Sequence, residues 1–448
     1  MAQKNPTRPN STPPTSRRRF LFGGAALAAG GILAGCVPPG LTSPVAPLGP
    51  GPILRPGPKP PAPGQKARVA VLHCDPRSDD RVIAETISRA ADLVGGVDRL
   101  FAGKKKVVVK PNLGYRDVRT HLGRQVALTD PSILRGTVAL IRKHFAGEIV
   151  VGDATTGSSF HDLYREAGNG LDEFKVRLVD LKDGPFVELR LPTGLMFTRY
   201  FVSRELADAD LVVSVAKLKA HTSAGVTLAL KNLFGLMPTQ QYGSPRLYLH
   251  APVRLPRVLA DFAQLFPPAL CVVDGLVGQN GKEWNGQPTE PGVIVLGTNV
   301  VATDATAARL LGVDPEADFP AFPYYFDRNP LVLAAAAGLG SPAAADVEVV
   351  GDVPIQPLLK LSLDRSPSRL DQATRQAVAA EVDTYLRERA RLLQTDRNRY
   401  VALVAGRVAK VADSVDALGS AASASGVLVK RILPPEDEDE RLDVYATI

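Results

Sequence analysis

Residues 211–222 read Leu-Val-Val-Ser-Val-Ala-Lys-Leu-Lys-Ala-His-Thr, an apolar run that leads directly into two lysines and a histidine. The apolar part, Leu211–Val215, is nearly continuous and does not alternate with polar residues, which favours a strand covered on both faces. Similar runs occur at 107–112, Val-Val-Val-Lys-Pro-Asn, and at 270–275, Leu-Cys-Val-Val-Asp-Gly. Strands of this kind predict the interior of a parallel sheet.

Such runs alternate with amphipathic segments over residues 67–350. The predicted strands are Arg68–His73, Lys106–Lys110, Glu148–Gly152, Leu211–Val215, Leu270–Asp274 and Gly292–Leu296. The predicted helices are Asp79–Leu93, Pro131–His144, Val253–Leu265 and Thr303–Leu311. This alternation predicts an α/β domain with a mostly parallel sheet and helices on both faces.

Two further parts complete the predicted organisation. Val187–Leu191 and Met196–Val202 flank a Pro-Thr-Gly turn, which predicts a hairpin within a small insertion. Residues 351–448 predict a helical C-terminal extension, with a long helix over Arg369–Gln394 and an acidic segment at Glu436–Glu440.

The first 66 residues have the pattern of an export and anchoring segment. In residues 1–36, the pair Arg17-Arg18 precedes an apolar run of 15 residues, shorter than the ~20 that a spanning helix needs. Leu-Ala-Gly before Cys36 resembles a lipobox, and residues 37–66 contain eleven prolines, typical of an extended tether. We therefore expect the twin-arginine translocase as a partner. The product would be a lipoprotein that is anchored to the membrane by lipid on Cys36. Its folded part would face the periplasm or the cell exterior.

The charge and the cysteine content argue against two classes of function, nucleic-acid binding and redox chemistry with an intrinsic iron–sulfur cluster. The net charge is +7, but residues 1–35 supply +5 of it, and no basic stripe follows, so nucleic-acid binding is not predicted. Only Cys74 and Cys271 follow Cys36, too few for an intrinsic iron–sulfur cluster with four cysteine ligands. A disulfide between these two cysteines stays open, and the cofactor is unknown.

Polar residues follow the predicted strands at their carboxyl ends, where ligands of parallel sheets bind. The densest group lies within residues 217–232 and offers lysines, an imidazole, hydroxyls and an amide, which suit a carboxylate or a phosphate. The candidate catalytic residues are Lys110, His221 and Lys231. The candidate substrate-binding residues are Asn112, Lys217, Lys219, Thr222, Thr227, Asn232 and His250. A basic surface loop with a hydrogen-bonded histidine is the alternative for this segment.

Three aspartates are candidate ligands of a divalent cation. Asp153 and Asp274 follow strands, and Asp304 begins a predicted helix. Carboxylate oxygens suit hard cations such as Mg²⁺, but each aspartate is equally well interpreted as a helix cap or turn residue.

These motifs resemble the DUF362 family, whose function is uncharacterised. The resemblance covers about residues 68–315 and is strongest in Lys-Leu-Lys-Ala-His at 217–221 and Thr-Leu-Ala-Leu-Lys-Asn-Leu-Phe-Gly at 227–235. It also includes Val-Lys-Pro-Asn at 109–112, Thr-Asp-Pro at 129–131, Val-Gly-Asp at 151–153, Val-Asp-Gly at 273–275 and Asp304. The resemblance implies an α/β domain and, in some members, association with ferredoxin-type iron–sulfur domains. This chain departs from that pattern because it has no cysteine cluster.

The main functional hypothesis is an enzyme acting on a small anionic metabolite. Two alternatives remain, a non-catalytic lipoprotein that binds an anionic ligand and a redox partner of an iron–sulfur protein.

Overall fold

The computed structural model describes residues 65–242, 246–250, 254–325, 327–363, 372–413 and 415–438. The predicted export signal, the lipobox with Cys36 and the proline-rich tether up to Gly64 lie outside these residues, as does the end of the acidic segment.

The secondary structure alternates between strands and helices up to residue 351. The strands are β1 (Ala67–His73), β2 (Lys106–Pro111), β3 (Thr120–His121), β4 (Arg124–Gln125), β5 (Glu148–Asp153), β6 (Arg177–Asp180), β7 (Phe186–Arg190), β8 (Arg199–Ser203), β9 (Leu211–His221), β10 (Gly225–Thr227), β11 (Pro268–Asn280), β12 (Gln287–Thr289), β13 (Val293–Gly297), β14 (Val347–Gly351), β15 (Tyr400–Val404), β16 (Arg407–Ala412) and β17 (Leu428–Arg431). The helices are α1 (Asp80–Leu93), α2 (Asp98–Phe101), α3 (Pro131–His144), α4 (Phe160–Glu166), α5 (Arg204–Ala207), α6 (Ala229–Asn232), α7 (Thr239–Tyr242), α8 (Leu247–His250), α9 (Arg254–Leu265), α10 (Val300–Leu310), α11 (Pro330–Ala336), α12 (Gln372–Thr395) and α13 (Val415–Leu418).

The main sheet has the strand order β14-β1-β13-β11-β9-β2-β5-β6. The pairs from β11 through β9, β2 and β5 to β6 are all parallel, as is the pair of β1 with β14. β13 runs antiparallel to both of its neighbours. The sheet is therefore mixed and mostly parallel, which confirms the predicted fold class.

Helices cover both faces of this sheet. On β2, Val107 and Val109 pack in one core with α1 and α3, whereas Val108 packs in a second core with α9 and the β7–β8 hairpin. All three valines are fully buried. This alternation explains why the strand is continuously apolar in sequence, since each successive side chain enters a different core.

The C-terminal extension contains the predicted long helix, α12, and also strands that the sequence analysis did not predict. β15 pairs antiparallel with β16 and β17 in a three-stranded sheet. The description of residues 351–448 as a helical extension is therefore incomplete. Tyr385 and Leu392 of α12 pack in the same core as α9, so the extension adds to a core of the α/β domain. Within the described ranges, no helix has the length and apolar character needed to cross a membrane.

Candidate functional site

A cavity of about 110 Å³ lies at the carboxyl ends of β2, β5 and β9, where ligands of parallel sheets usually bind. Short segments from distant parts of the chain form its wall. The lining residues are Lys110, Asn112, Gly114, Tyr115, Asp153, Thr156, Lys219, His221, Thr227, Lys231, Asn232, Phe234, Gly235, Arg246, His250, Glu283 and Trp284.

Lys110, the last residue but one of β2, forms the framework of the cavity. Its Nζ donates to Asp153 Oδ2 at 2.7 Å, to Asn232 Oδ1 at 3.1 Å and to the Pro111 carbonyl at 2.6 Å. Burial lowers the pKa of Lys110 and raises the pKa of Asp153, and each is opposed by the charge of the other. The ammonium has three acceptors, which is its full donor capacity, so Lys110 joins β2, β5 and α6 together.

Gly235 makes room for this ion pair. A Cβ atom at Gly235 would lie 2.6 Å from Lys110 Nζ and 2.5 Å from Lys110 Cε, and it would also clash with Asp153 Oδ1. The backbone of Gly235 is held there because its carbonyl accepts from Ala154 N at 2.7 Å. Glycine is therefore needed here for close approach of the backbone to the pair.

The hairpin of β9 with β10 carries the next group of side chains. Thr227 lies opposite Lys219 in the register, and Gly225, which begins β10 directly after the tight turn, has a positive φ of 75°. Lys219 Nζ donates to the Ala127 carbonyl at 2.8 Å and lies 3.6 Å from the centroid of the Trp284 ring. Burial lowers the pKa of Lys219 well below its ordinary value. Among the described residues, Lys219 therefore has one hydrogen-bond acceptor, the Ala127 carbonyl, and one aromatic neighbour, Trp284.

The two histidines of the cavity have opposite tautomers, and the backbone fixes both. His221 Nδ1 accepts from the N–H groups of Ser223 and Ala224, each at 3.1 Å, so the ring proton must be on Nε2. His250 Nδ1 lies 3.2 Å from the Arg246 carbonyl and must donate to it, which leaves a lone pair on Nε2. Burial and the charge of nearby cations lower the pKa of His221 to about 3 and that of His250 well below its ordinary value. Both imidazoles are therefore neutral near pH 7.

Lys231 lies on the short helix α6, which Asp304 caps. Asp304 accepts from the N–H groups of Ala229 at 2.9 Å and Leu230 at 2.7 Å. Lys231 Nζ lies 4.6 Å from the centroid of the Phe234 ring. In the part of the chain that the structure describes, it has no hydrogen-bond acceptor. Burial lowers the pKa of Lys231 to about 7, and the charge of Arg246 adds to this effect while that of Glu283 opposes it.

The loop between β11 and β12 closes one side of the cavity. Glu283 accepts from Thr222 N at 3.2 Å and Thr222 Oγ1 at 2.8 Å, and Trp284 packs on the Tyr115 ring with centroids 5.1 Å apart. Burial raises the pKa of Glu283, but His221 and the hydrogen bonds from Thr222 outweigh it and lower that pKa to about 2. Glu283 is therefore an ionised carboxylate beside the cavity cations.

Within the described segments, several buried polar atoms of the cavity wall have no hydrogen-bond partner. Among the described residues, the unpaired buried atoms that belong to the cavity are Asn112 Oδ1, Asp153 Oδ1, Thr227 Oγ1 and Arg246 Nε. Arg246 nevertheless donates through Nη1 to the carbonyls of Ala154 and Met237, and it lies over the Phe234 ring. Unpaired buried polar groups are costly, so a cluster of them around one cavity is typical of a site for a polar ligand.

The structure brings together most of the residues proposed from sequence. Lining the cavity are Lys110, Asn112, Asp153, Lys219, His221, Thr227, Lys231, Asn232 and His250. Four others do not line it. Lys217 pairs with Asp274 on the neighbouring strand at 2.9 Å, Thr222 holds Glu283, and Asp304 caps α6. Thr222 and Asp304 therefore hold elements that carry lining residues, and the Lys217–Asp274 pair joins β9 to β11.

The three aspartates proposed as metal ligands have separate partners. Asp153 pairs with Lys110, Asp274 with Lys217, and Asp304 with two backbone N–H groups. No group of three or more histidine, cysteine, aspartate or glutamate side chains is arranged for a metal ion within the described ranges. The two cysteines there, Cys74 and Cys271, are buried free thiols. A divalent cation therefore stays a prediction from sequence.

Arg246, Glu283 and Tyr115 are cavity residues that the sequence analysis missed. Arg246 lies between α7 and α8, and Glu283 lies in the wide loop after β11. Neither residue directly follows the carboxyl end of a predicted strand, and that position was the criterion by which the site residues were predicted. Trp284, the chain's one tryptophan, also lines the cavity and was not among the predicted site residues.

Comparison with known proteins identifies relatives over part of the chain. Thylakoid-associated protein sll1697 of Synechocystis is 27% identical over 234 residues, which cover 50% of this chain and 68% of that protein. A structural-genomics protein from Thermotoga maritima is 14% identical, with a TM-score of 0.32 and coverage of 50% of this chain and 56% of that one. The lactate racemase apoprotein from Thermoanaerobacterium thermosaccharolyticum is 13% identical, with a TM-score of 0.33 and coverage of 56% and 58%.

This chain spans less than two thirds of either solved structure, and at these TM-scores neither bears on function. A family model matches a central part of the chain that contains every residue of the cavity wall. Residues 107–309 match the family described as "Domain of unknown function (DUF362)", within the range over which the sequence motifs resemble that family.

Proposed function

We propose that this protein is an enzyme that acts on a small anionic metabolite, a carboxylate or a phosphate, held in the cavity at the ends of β2, β5 and β9. The observation that carries the proposal is an excess of cationic groups in the cavity wall. The cationic side chains are Lys110, Lys219, Lys231 and Arg246, against the two carboxylates of Asp153 and Glu283. Because Asp153 is already paired with Lys110, three cations remain for one carboxylate and a ligand.

Burial makes the protonated forms of two of these amines unfavourable. The pKa values of Lys219 and Lys231 are both lowered by desolvation. A bound anion would raise them again, since a nearby opposite charge favours the protonated amine. Charge-assisted hydrogen bonds in such a setting are short and strong. A bound anion would therefore stabilise the protonated amines that burial disfavours.

The same residues support a role in chemistry. We assign proton transfer to Lys231, because a pKa of about 7 lets an amine exchange protons readily near neutral pH. His221 is assigned as a neutral hydrogen-bond donor through Nε2, because its Nδ1 is occupied by two backbone N–H groups. Lys110 is assigned as a positioning residue, since its three acceptors leave it no proton to direct at a ligand.

The test uses Trp284, the chain's only tryptophan, as a reporter of binding. Titration with phosphate, acetate or oxalate is expected to change the fluorescence of Trp284, because Lys219 lies against its ring. Lys219→Met is expected to weaken this response at least tenfold, whereas the exposed control Lys104→Met leaves it unchanged. A parent chain that shows no response to any of these anions would contradict the proposal.

Catalysis is separated from binding by a second measurement. Small carboxylates that change the fluorescence are incubated with the protein in D₂O, and exchange of carbon-bound hydrogen is followed by NMR. Exchange that disappears in Lys231→Met supports an enzyme. Tight binding with no exchange or conversion in any ligand favours the alternative, a non-catalytic lipoprotein that captures an anion.

We also propose that the protein acts outside the cytoplasm, after twin-arginine export and attachment to the membrane through lipid on Cys36. The support is the order of the sequence signals, with Arg17-Arg18 first, then the apolar run, then the lipobox. The proline-rich residues 37–66 would hold the α/β domain away from the lipid surface.

A further inference from the structure

We propose that Lys231 forms an imine with the ketone of a small 2-oxo acid bound in the cavity. The inference rests on the proposed function, because it adds a covalent step to an anion held in the same place. It also names the substrate class, a molecule that carries a carbonyl group beside its carboxylate.

The three lysines of the cavity wall differ in the hydrogen bonds that their Nζ atoms make. Lys110 Nζ donates to three acceptors, and Lys219 Nζ donates to a backbone carbonyl and lies on the Trp284 ring. In the described part of the chain, Lys231 Nζ has no hydrogen-bond acceptor and lies over the face of the Phe234 ring. An amine held in a cavity without a hydrogen-bond acceptor is free to use its lone pair.

The amine of Lys231 must be neutral to attack a carbonyl carbon, and its surroundings favour the neutral form. Lys231 is half-buried on a short helix, and desolvation is the main cause that lowers its pKa. The guanidinium of Arg246 and the ammonium of Lys110 add to this lowering, while the carboxylate of Glu283 opposes it. Desolvation and neighbouring cations are the two means by which lysine is made nucleophilic in enzymes that form Schiff bases. The surroundings of Lys231 supply both.

The other polar groups of the cavity wall indicate which further groups the substrate carries. Lys219 and Arg246 line the same cavity and are the cations available for a carboxylate once Lys110 is paired with Asp153. His221 carries its remaining proton on Nε2 and can donate a hydrogen bond to a carbonyl oxygen. A ligand that uses the nucleophile, the cations and this donor must contain both a carbonyl and a carboxylate, as a 2-oxo acid does.

The reaction balances without an oxidant or a reductant. The nitrogen of neutral Lys231 forms a bond to the carbonyl carbon, and the carbon–oxygen π bond opens to give a carbinolamine. The carbon–oxygen single bond then breaks, and the oxygen leaves as water with the two hydrogens that came from the amine. The product is a carbon–nitrogen double bond, and nothing is oxidised or reduced.

The test is reductive trapping on the full-length chain with pyruvate and sodium borohydride, followed by intact-mass and peptide mapping. The expected result is one reduced adduct per chain, located on Lys231. Acetone, a ketone without a carboxylate, is expected to give far less adduct at the same concentration. The exposed control Lys143→Met should be trapped as fully as the parent.

Two variants keep the result interpretable. Lys231→Met removes the amine, and Lys231→Arg keeps a cation of similar length that cannot form an imine. Both are expected to give no adduct, while the fluorescence of Trp284 still responds to pyruvate. A parent chain that shows the fluorescence response but no adduct overturns the imine and leaves anion binding standing. Absence of both responses contradicts the proposed function as well, and an adduct that persists in Lys231→Arg contradicts the assignment to Lys231.

Discussion

Lys110 and Lys231 line the same cavity, but their ammonium groups have opposite surroundings. Lys110 pairs with buried Asp153, so Lys110→Met would leave a carboxylate in the core without its partner. We expect this change to lower the free energy of unfolding by about 3–5 kcal/mol. Lys231→Met removes a desolvated amine that has no acceptor in the described chain, so we expect no loss of stability. Urea unfolding at pH 7 measures both, and an equal loss in the two variants would show that Lys231 is also structural.

Gly235 and Gly114 both lie near Asp153 Oδ1, but only Gly235 is too close for a side chain. A methyl group at Gly235 would overlap the Lys110–Asp153 pair, whereas one at Gly114 would lie 3.9 Å from the carboxylate, at ordinary contact distance. Gly235→Ala is therefore expected to cost about 1–3 kcal/mol through overpacking. Gly114→Ala is the matched control and is expected to leave stability unchanged or slightly higher. Thermal unfolding of the two variants compares them, and equal melting temperatures would show that the pair adapts without cost.

The protonation of Lys231 gives a pH dependence with a definite sign. Its pKa falls from an ordinary 10.5 to about 7 on folding, because burial disfavours the charged amine. Between these values the unfolded chain binds more protons than the folded chain, so this group's contribution to stability rises as pH increases from 7 to 10.5. The difference in unfolding free energy between the parent and Lys231→Met should therefore grow in favour of the parent over this range.

Formation of the imine should rise with pH up to about 7 and then level off, because the neutral amine is the form that attacks the carbonyl. A rate that falls as pH rises to 7 would contradict the neutral amine.

At the scale of the element, α6 depends on a cap from a distant helix. Asp304 of α10 accepts the N–H groups of Ala229 and Leu230, which begin the turn that presents Lys231. Asp304→Ala would leave two buried donors unpaired, and we expect a loss of about 2–4 kcal/mol. Asp304→Asn keeps an acceptor oxygen and is expected to lose less. Unfolding and borohydride trapping are measured together, and full trapping in Asp304→Ala would show that α6 holds Lys231 without its cap.

Some elements could be predicted from sequence because their end signals are local. The predicted bounds of α3 agree with the structure, since Asp130 caps Ser132 N and Pro131 begins the helix. β9 was predicted to end at Val215 but continues to His221, because β10 and β11 pair with the polar residues that follow. The strand continues past Val215 because it is hydrogen-bonded to neighbouring strands. The sequence of residues 216–221 alone does not indicate that these strands lie beside it. The strands of the C-terminal extension were missed because the sequence there was interpreted only by composition.

At the scale of the whole molecule, the cavity depends on which chain segments meet. The end-of-strand rule located Lys110, Asp153 and Lys219, because parallel strands place their carboxyl ends at one edge. The same rule also selected Asp274, but this residue forms an ion pair with Lys217 on the adjacent strand and does not line the cavity. Strand order decides this outcome, since Lys217 and Asp274 lie directly opposite each other in the register. That order comes from tertiary packing, which a single sequence does not reveal.

The proposed export and lipid anchoring would act on the whole protein, and they can be tested separately from the cavity. Expressed in a bacterium with a twin-arginine pathway, Cys36→Ala is expected to be exported but released from the membrane fraction, because the lipid chains are lost. Changing Arg17 and Arg18 together to lysine is expected to keep the chain in the cytoplasm, whereas Arg19→Lys leaves the pair intact and is the matched control. Cell fractionation measures each location. The fluorescence response of Trp284 to anions should be the same in Cys36→Ala as in the parent, since residues 37–66 lie between Cys36 and β1 in the sequence. A parent chain found in the soluble cytoplasmic fraction would contradict export while leaving the cavity and its chemistry open to the tests above.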